Sequence, residues 1–255
     1  MREGINKDAA LEAANNLLNP VMNSRQINTI AKQTFPENSR DRDLTAPVIL
    51  HLFIFTAFLK DSLDRAIYEF NQIYSITSGK SQRYASKQAW GEARKRTPIE
   101  FLIRIFRFVV EKFCHSFDTC MRWKGFRVLT ADGTCIDLAP SKELREIFRG
   151  PINQNGDCKV QARMSCLVSV LTGLCIDFVV GTYNTAEMAL TNILIDGIKA
   201  MDLILLDRLY HCHGFLGAMT CKGRHFIVRG KLDIKPRVIK VLGDGDWLCE
   251  FRVKQ

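Results

Sequence analysis

Two stretches of this chain each carry an apolar run up to an acid: Arg127-Val-Leu-Thr-Ala-Asp132 and, 75 residues later, Asp202-Leu-Ile-Leu-Leu-Asp207. Short runs rich in Val, Leu and Ile read as β-strands. Open α/β sheets hold their ligands at the carboxyl ends of strands. Asp132 and Asp207 are therefore the candidate catalytic residues and the candidate metal ligands. If their strands are neighbours, the carboxylates converge. Paired carboxylates suit Mg²⁺ or Mn²⁺, hard cations that take oxygen ligands and keep waters. Two such ions about 3.5–4 Å apart can activate a water and stabilise a leaving oxygen in phosphodiester chemistry. Each aspartate also has an ordinary explanation. Asp132-Gly133 is a frequent hairpin dipeptide, and Asp207 can cap a following helix. The element order and the basic charge of the chain together favour the metal reading.

Other groups rank lower. Glu187, in Asn184-Thr-Ala-Glu-Met, lies between the two aspartates and reads as a first-turn helix acid that suits the helix dipole. Asp137 is five residues past Asp132, so a strand points it to the opposite face. His211-Cys-His213 is weak as a zinc site without a second ligand pair. Lys142, Arg145, Arg149 and Lys159 flank a Gly/Pro/Asn-rich loop and read first as a solvated surface.

The elements that must position the aspartates fall into two parts. Residues 1–120 read as an all-helical module. The spacing predicts helices over 8–19, over Ser24 to about Phe35 with Ser24 as cap, over an apolar stretch after Thr45, over 62–74, over Ser86–Arg96 and from Ile99 to about Phe117. The Ser86–Arg96 helix carries Lys87, Arg94, Lys95 and Arg96, a candidate DNA-contact element, although most charge runs are solvated faces. From about residue 125, strand-type residues take over. Strands are predicted at 127–132 and 134–138, separated by a turn at Asp132-Gly133. A basic excursion follows at 142–159. A hairpin then turns at Thr172-Gly173, a helix covers 185–200, a strand 203–207, a helix 212–222 and a strand 225–229. Two further β segments, 237–242 and 247–253, close the chain. Strands alternating with helices after a meander argue for an α/β sheet of mixed direction over residues 121–255.

Bulk properties agree. With 255 residues, 47% hydrophobic and 25% charged, the chain is a folded globular protein. A net charge of +9 favours a polyanionic partner such as nucleic acid. Nine scattered cysteines with no Cys-x-x-Cys pair fit a reducing cytoplasm. The polar start carries no signal peptide, and the longest apolar run, Ala46–Leu59, contains Pro47 and is too short for a bilayer.

Ala131-Asp-Gly-Thr134, Leu205-Leu-Asp-Arg-Leu-Tyr210 and Phe215 to Arg229 together resemble the DDE transposases of bacterial insertion sequences, of the insertion-sequence-four type. Arg42-Asp-Leu-Thr45 and Ser86-Lys-Gln-Ala-Trp-Gly-Glu-Ala-Arg-Lys-Arg96 resemble that family's N-terminal region. The resemblance implies a ribonuclease-H-like mixed sheet with flanking helices, preceded by a helical DNA-binding region. It implies Mg²⁺ or Mn²⁺, double-stranded DNA (transposon ends and target) as partner, strand cleavage followed by 3′-hydroxyl attack, and a bacterial cytoplasmic, nucleoid-associated setting without membrane. Asp132 and Asp207 would be the first two acids of the triad, with Arg229 and Lys231 near bound DNA. Two departures stand out. Leu209 replaces the glycine usual after Asp-Arg. No glutamate in a Tyr-x-x-Arg…Glu…Lys context follows, and Glu250 lies in a strand-like segment. The resemblance therefore implies a chain that stops before its last catalytic element. That would leave apolar sheet surface exposed and favour aggregation or a homodimer. The alternatives are an inactive DNA-binding remnant, or an unrelated metal nuclease of the same fold that takes Glu187 or Glu250 as third acid.

Overall fold

The computed structural model describes residues 22–36, 44–59, 62–78, 86–152, 159–231 and 236–250. The helix expected at 8–19 lies outside them. The chain divides into two compact units, Met1–His115 and Ser116–Gln255.

The first unit is helical. Helix α1 (Ser24–Thr34) is capped by Asn23 and not by Ser24. The Asn23 side chain accepts from Gln26 N, and Gln26 Oε1 accepts from Asn23 N. This reciprocal box satisfies two amides that the helix itself leaves free. Helix α2 (Ala46–Leu59) begins just after Thr45, with Pro47 in its first turn, where its missing N–H costs nothing. Helix α3 (Leu63–Ser78) runs four residues beyond its expected end. Helix α4 (Lys87–Arg96) is capped by Ser86, and helix α5 spans Ile99–Ser116. Trp90 and Ala93 anchor α4 in a core with Val48, Leu52, Phe55, Ile67 and Phe70. Truncating a buried aromatic of this kind costs about 3–5 kcal/mol. The anchor turns the basic residues of α4 to solvent.

The second unit is built on a mixed sheet ordered β4-β3-β2-β5-β6, with the short β1 (Arg122–Trp123) beside β2. Strand β2 is Phe126–Asp137, β3 Gln161–Ser169, β4 Cys175–Thr182, β5 Asp202–Leu206 and β6 His225–Val228. Neighbours β2, β3 and β4 are antiparallel, whereas β5 is parallel to both β2 and β6. With its flanking helices, this is a mixed sheet of the kind that the resemblance implies.

Asp132-Gly133 makes no turn, and β2 is a single strand of 12 residues. Its pairing with β3 runs unbroken from Leu129↔Ser169 to Asp137↔Gln161. Ladder bonds to a strand thirty residues away outweigh the local turn preference of Asp-Gly. The true turn is at Thr172-Gly173, where Gly173 takes a φ of +69°. Residues 142–148, expected as a loop, form a short helix α6 (Lys142–Phe148) capped by Ser141.

Helices α7 (Glu187–Ile195) and α8 (His213–Cys221) share one face of the sheet. Leu194 and Ile195 of α7 and Phe215 and Met219 of α8 join one core with Ala131, Leu167, Ile204 and Leu206. Beneath them Arg127 and Asp202, opposite each other on β2 and β5, form a buried ion pair at 2.7 Å. The opposite face is covered at Val128 and exposed at Ile136, Phe178, Val180 and Ile227, which are 37–56% exposed. Strands β7 (Arg237–Gly243) and β8 (Asp246–Glu250) form a separate two-stranded sheet. No helix among the described residues is long and apolar enough to cross a membrane.

Candidate active site

The parallel register of β2 and β5 places the two aspartates. Arg127 pairs with Asp202, Val128 with Leu203, Leu129 with Ile204 and Thr130 with Leu205. The same offset of 75 residues puts Asp132 level with Asp207 just beyond the ladder. Neighbouring strands lie about 4.7–4.9 Å apart. Side chains alternate between faces, and Ala131 and Leu206 face the helices. Asp132 and Asp207 therefore both project from the opposite face, at the carboxyl end of β5 and level with it on β2.

Their local geometry also matches. Asp132 Oδ1 accepts from the amide of Gly133 at 2.9 Å, and Asp207 Oδ1 accepts from the amide of Arg208 at 2.7 Å. Asp207 thus caps a single 3-10 turn, Arg208–Tyr210. Both carboxylates are exposed. Each keeps its second oxygen free of protein donors among the described residues, available to a cation. This oxygen-only pair fits Mg²⁺ or Mn²⁺ chemically. Among the described residues no group of three His, Cys, Asp or Glu is placed to hold a metal. Glu187 and Glu250 therefore do not complete the pair, and Glu250 instead lies 3.6 Å from Arg237. Asp137 accepts from Gln161 Nε2 at 2.6 Å. His211 is buried and its Nδ1 accepts from the amide of Lys231 at 3.1 Å.

That last bond ties the segment after β6 to the turn after β5. The amide of Arg229 also donates to Leu206 O at 3.0 Å. Arg229 and Lys231 are exposed at the same end of the sheet as Asp207. In the helical unit, Lys87 pairs with Asp64 at 2.9 Å and Lys95 with Glu92 at 3.2 Å. Exposed pairs of this kind are weak and can exchange for a phosphate.

Behind the aspartates lies a polar network that the sequence did not advertise. A Cβ on Gly133 would fall 2.3 Å from Glu187 Cδ, so the Glu187 side chain lies directly against the strand there. It does so on the helix side, opposite to Asp132. The Tyr210 hydroxyl donates to Glu187 Oε1 at 2.7 Å. Thr191 Oγ1 lies 3.0 Å from the Tyr210 hydroxyl and 2.8 Å from Ser165 Oγ. Burial, then the charges of Glu187 and Asp132, raise the Tyr210 pKa above its ordinary value. Burial and the nearby Asp132 likewise push the Cys166 thiol up. The available signal in the sequence was a tyrosine three residues after Asp207 and a glycine one residue after Asp132.

A family model described as a transposase DDE domain matches residues 123–252. A curated relative, the transposase InsG for insertion sequence element IS4 of Escherichia coli (strain K12), is 26% identical over 164 residues, 63% of this chain. The match spans only 37% of that relative's length. Among solved structures, the cryo-EM structure of a piggyBac transposase synaptic complex with hairpin DNA aligns with a TM-score of 0.36 and 11% identity. That alignment covers 92% of this chain and 53% of the other.

Proposed function

This chain belongs to the transposase DDE domain family, and on that premise we propose that Asp132 and Asp207 are two carboxylates of a metal centre for DNA strand cleavage and transfer at transposon ends. The observation that supports the reading is the parallel register of β2 and β5, which, continued two residues past Thr130↔Leu205, brings Asp132 level with Asp207. When bound there, Mg²⁺ or Mn²⁺ would activate the attacking oxygen and stabilise the leaving one. The chain's own part is positioning. Each aspartate is held by the amide that follows it, so its second oxygen is aimed before any cation arrives. Arg229 and Lys231 supply positive charge beside the pair for a phosphate backbone. Lys87, Arg94, Lys95 and Arg96 on α4 form a second basic surface for double-stranded DNA.

A DDE centre needs a third carboxylate, and the described residues place none beside the pair. This favours a second reading, a DNA-binding remnant in which the aspartates hold metal weakly and do not cut. One experiment separates the two: Mn²⁺-dependent nicking of DNA carrying the element's ends, by the chain and by its Asp132→Ala and Asp207→Ala variants. Nicking that disappears in both variants supports a working centre, with its third acid outside the described residues. Binding without nicking supports the remnant. Nicking that survives in either variant refutes the assignment of the aspartates.

A further inference from the structure

The polar network behind the sheet touches both aspartate-bearing segments, one residue from Asp132 and three from Asp207. Glu187 lies against Gly133, and it accepts the Tyr210 hydroxyl. Tyr210 closes the 3-10 turn that Asp207 caps, its amide donating to Asp207 O at 3.0 Å. Ser165, directly opposite Gly133 on β3, completes the set through Thr191. Ser165 and Thr191 are fully buried and Tyr210 is 1% exposed, on the sheet face that α7 and α8 cover. Burying three polar side chains there is costly unless each is satisfied, and here each has a partner, with half-buried Glu187 closing the set. A purely apolar contact between α7 and β2 would pack as well, but it would not link the two segments.

We propose that Glu187 is a positioning residue: braced on Gly133 and held by Tyr210, it sets the spacing between Asp132 and Asp207 from behind the sheet. The proposal rests on the reading that these aspartates bind a divalent metal. Glycine at 133 follows from it, because any side chain there would displace the Glu187 carboxylate from its brace on the strand that carries Asp132. So does the hydroxyl at 210, which converts a core aromatic into a tether. Glu187 acts through the backbone and not on the metal, since Gly133 and Asp132 point to opposite faces.

The test uses the full chain and Mn²⁺ alone as probe, with free Mn²⁺ read by electron paramagnetic resonance. Tyr210→Phe and Gly133→Ala are each expected to weaken Mn²⁺ binding about tenfold, as loss of an outer-shell support does. Glu187→Gln keeps an oxygen for the Tyr210 hydroxyl and is expected to bind like the parent chain. In the Glu187→Ala background, Gly133→Ala should cost nothing further, because the clash has gone. Parent-like binding by Tyr210→Phe and Gly133→Ala, with binding lost in Asp132→Ala and Asp207→Ala, would overturn the proposal and leave the metal reading intact. Loss of binding in Glu187→Gln would also overturn it, by making Glu187 a ligand. If Asp132→Ala and Asp207→Ala leave Mn²⁺ binding unchanged, the metal reading itself fails. The brace is then read without metal from the amide resonances of Gly133 and Arg208, the donors to the two aspartates. Tyr210→Phe should shift both, and unchanged resonances would sink the brace.

Discussion

Asp202→Ala is the most informative perturbation of the scaffold. Asp202 accepts from Arg127 Nε at 2.8 Å, from Arg127 Nη2 at 2.7 Å and from the Lys199 amide at 2.7 Å. The side chains of Arg127 and Asp202 are only 10% and 2% exposed. Hydrogen bonds to charged groups are worth about 1.5–3 kcal/mol each. Removing the carboxylate takes the counter-charge from a buried guanidinium, and breaking such a pair costs about 3–5 kcal/mol. At about 1.4 kcal/mol per factor of ten, amides of β2 and β5 should exchange with deuterium roughly 10²–10⁴ times faster. Peptide-resolved exchange reads this inside the second unit without interference from the helical one. The double variant Arg127→Leu/Asp202→Leu removes both charges and should recover most of the loss, because neutral packing avoids the desolvation penalty. Acceleration below tenfold in Asp202→Ala, or a double variant as loose as the single, would refute the claim that this pair holds the β2–β5 register.

Two further outcomes are expected. Burial pushes the His51 imidazole below its ordinary pKa of 6.5. The folded state therefore favours the neutral ring, while the unfolded chain takes the proton first. The stability this confers is present above about pH 6.5 and is lost as pH falls below it. Exchange of α2 amides should accelerate on acidification in the parent and less so in His51→Gln, and equal acid sensitivity in both would count against burial as the cause. On α4, replacing Arg94, Lys95 and Arg96 by alanine should weaken DNA binding across sequences and flatten its salt dependence by up to about 0.9 in log–log slope per lost phosphate contact. An unchanged slope would assign those residues to the solvated surface.

Much of the site was legible because its signals are local. An apolar run that stops on an acid marks a strand end at Asp207, whereas Asp132 lies inside β2, which runs on to Asp137. The expected helix over Ser86–Arg96 is capped by Ser86, three residues from the amide it satisfies, whereas the Ser141 cap opens a helix where a loop was expected, and Asn23 caps α1 where the sequence pointed to its neighbour Ser24. The Asp132-Gly133 step misled for the same reason. Its local chemistry says turn, but its partner strand begins at Gln161, and pairing at that distance leaves no trace in a short window.

What the amino-acid order determined alone is the element sequence, the change from helical to sheet-forming chain near residue 120 and the two aspartates with their basic surroundings. Those depend on periodicity and side-chain chemistry within a few residues. Tertiary structure alone decided that β2 and β5 are parallel neighbours in register, that Asp132 and Asp207 share a face, and that Glu187 sits behind them and not beside them. Each of these depends on where segments separated by 23–75 residues meet. Such meetings are set by the summed packing of the sheet and its helices, which no single stretch of sequence contains.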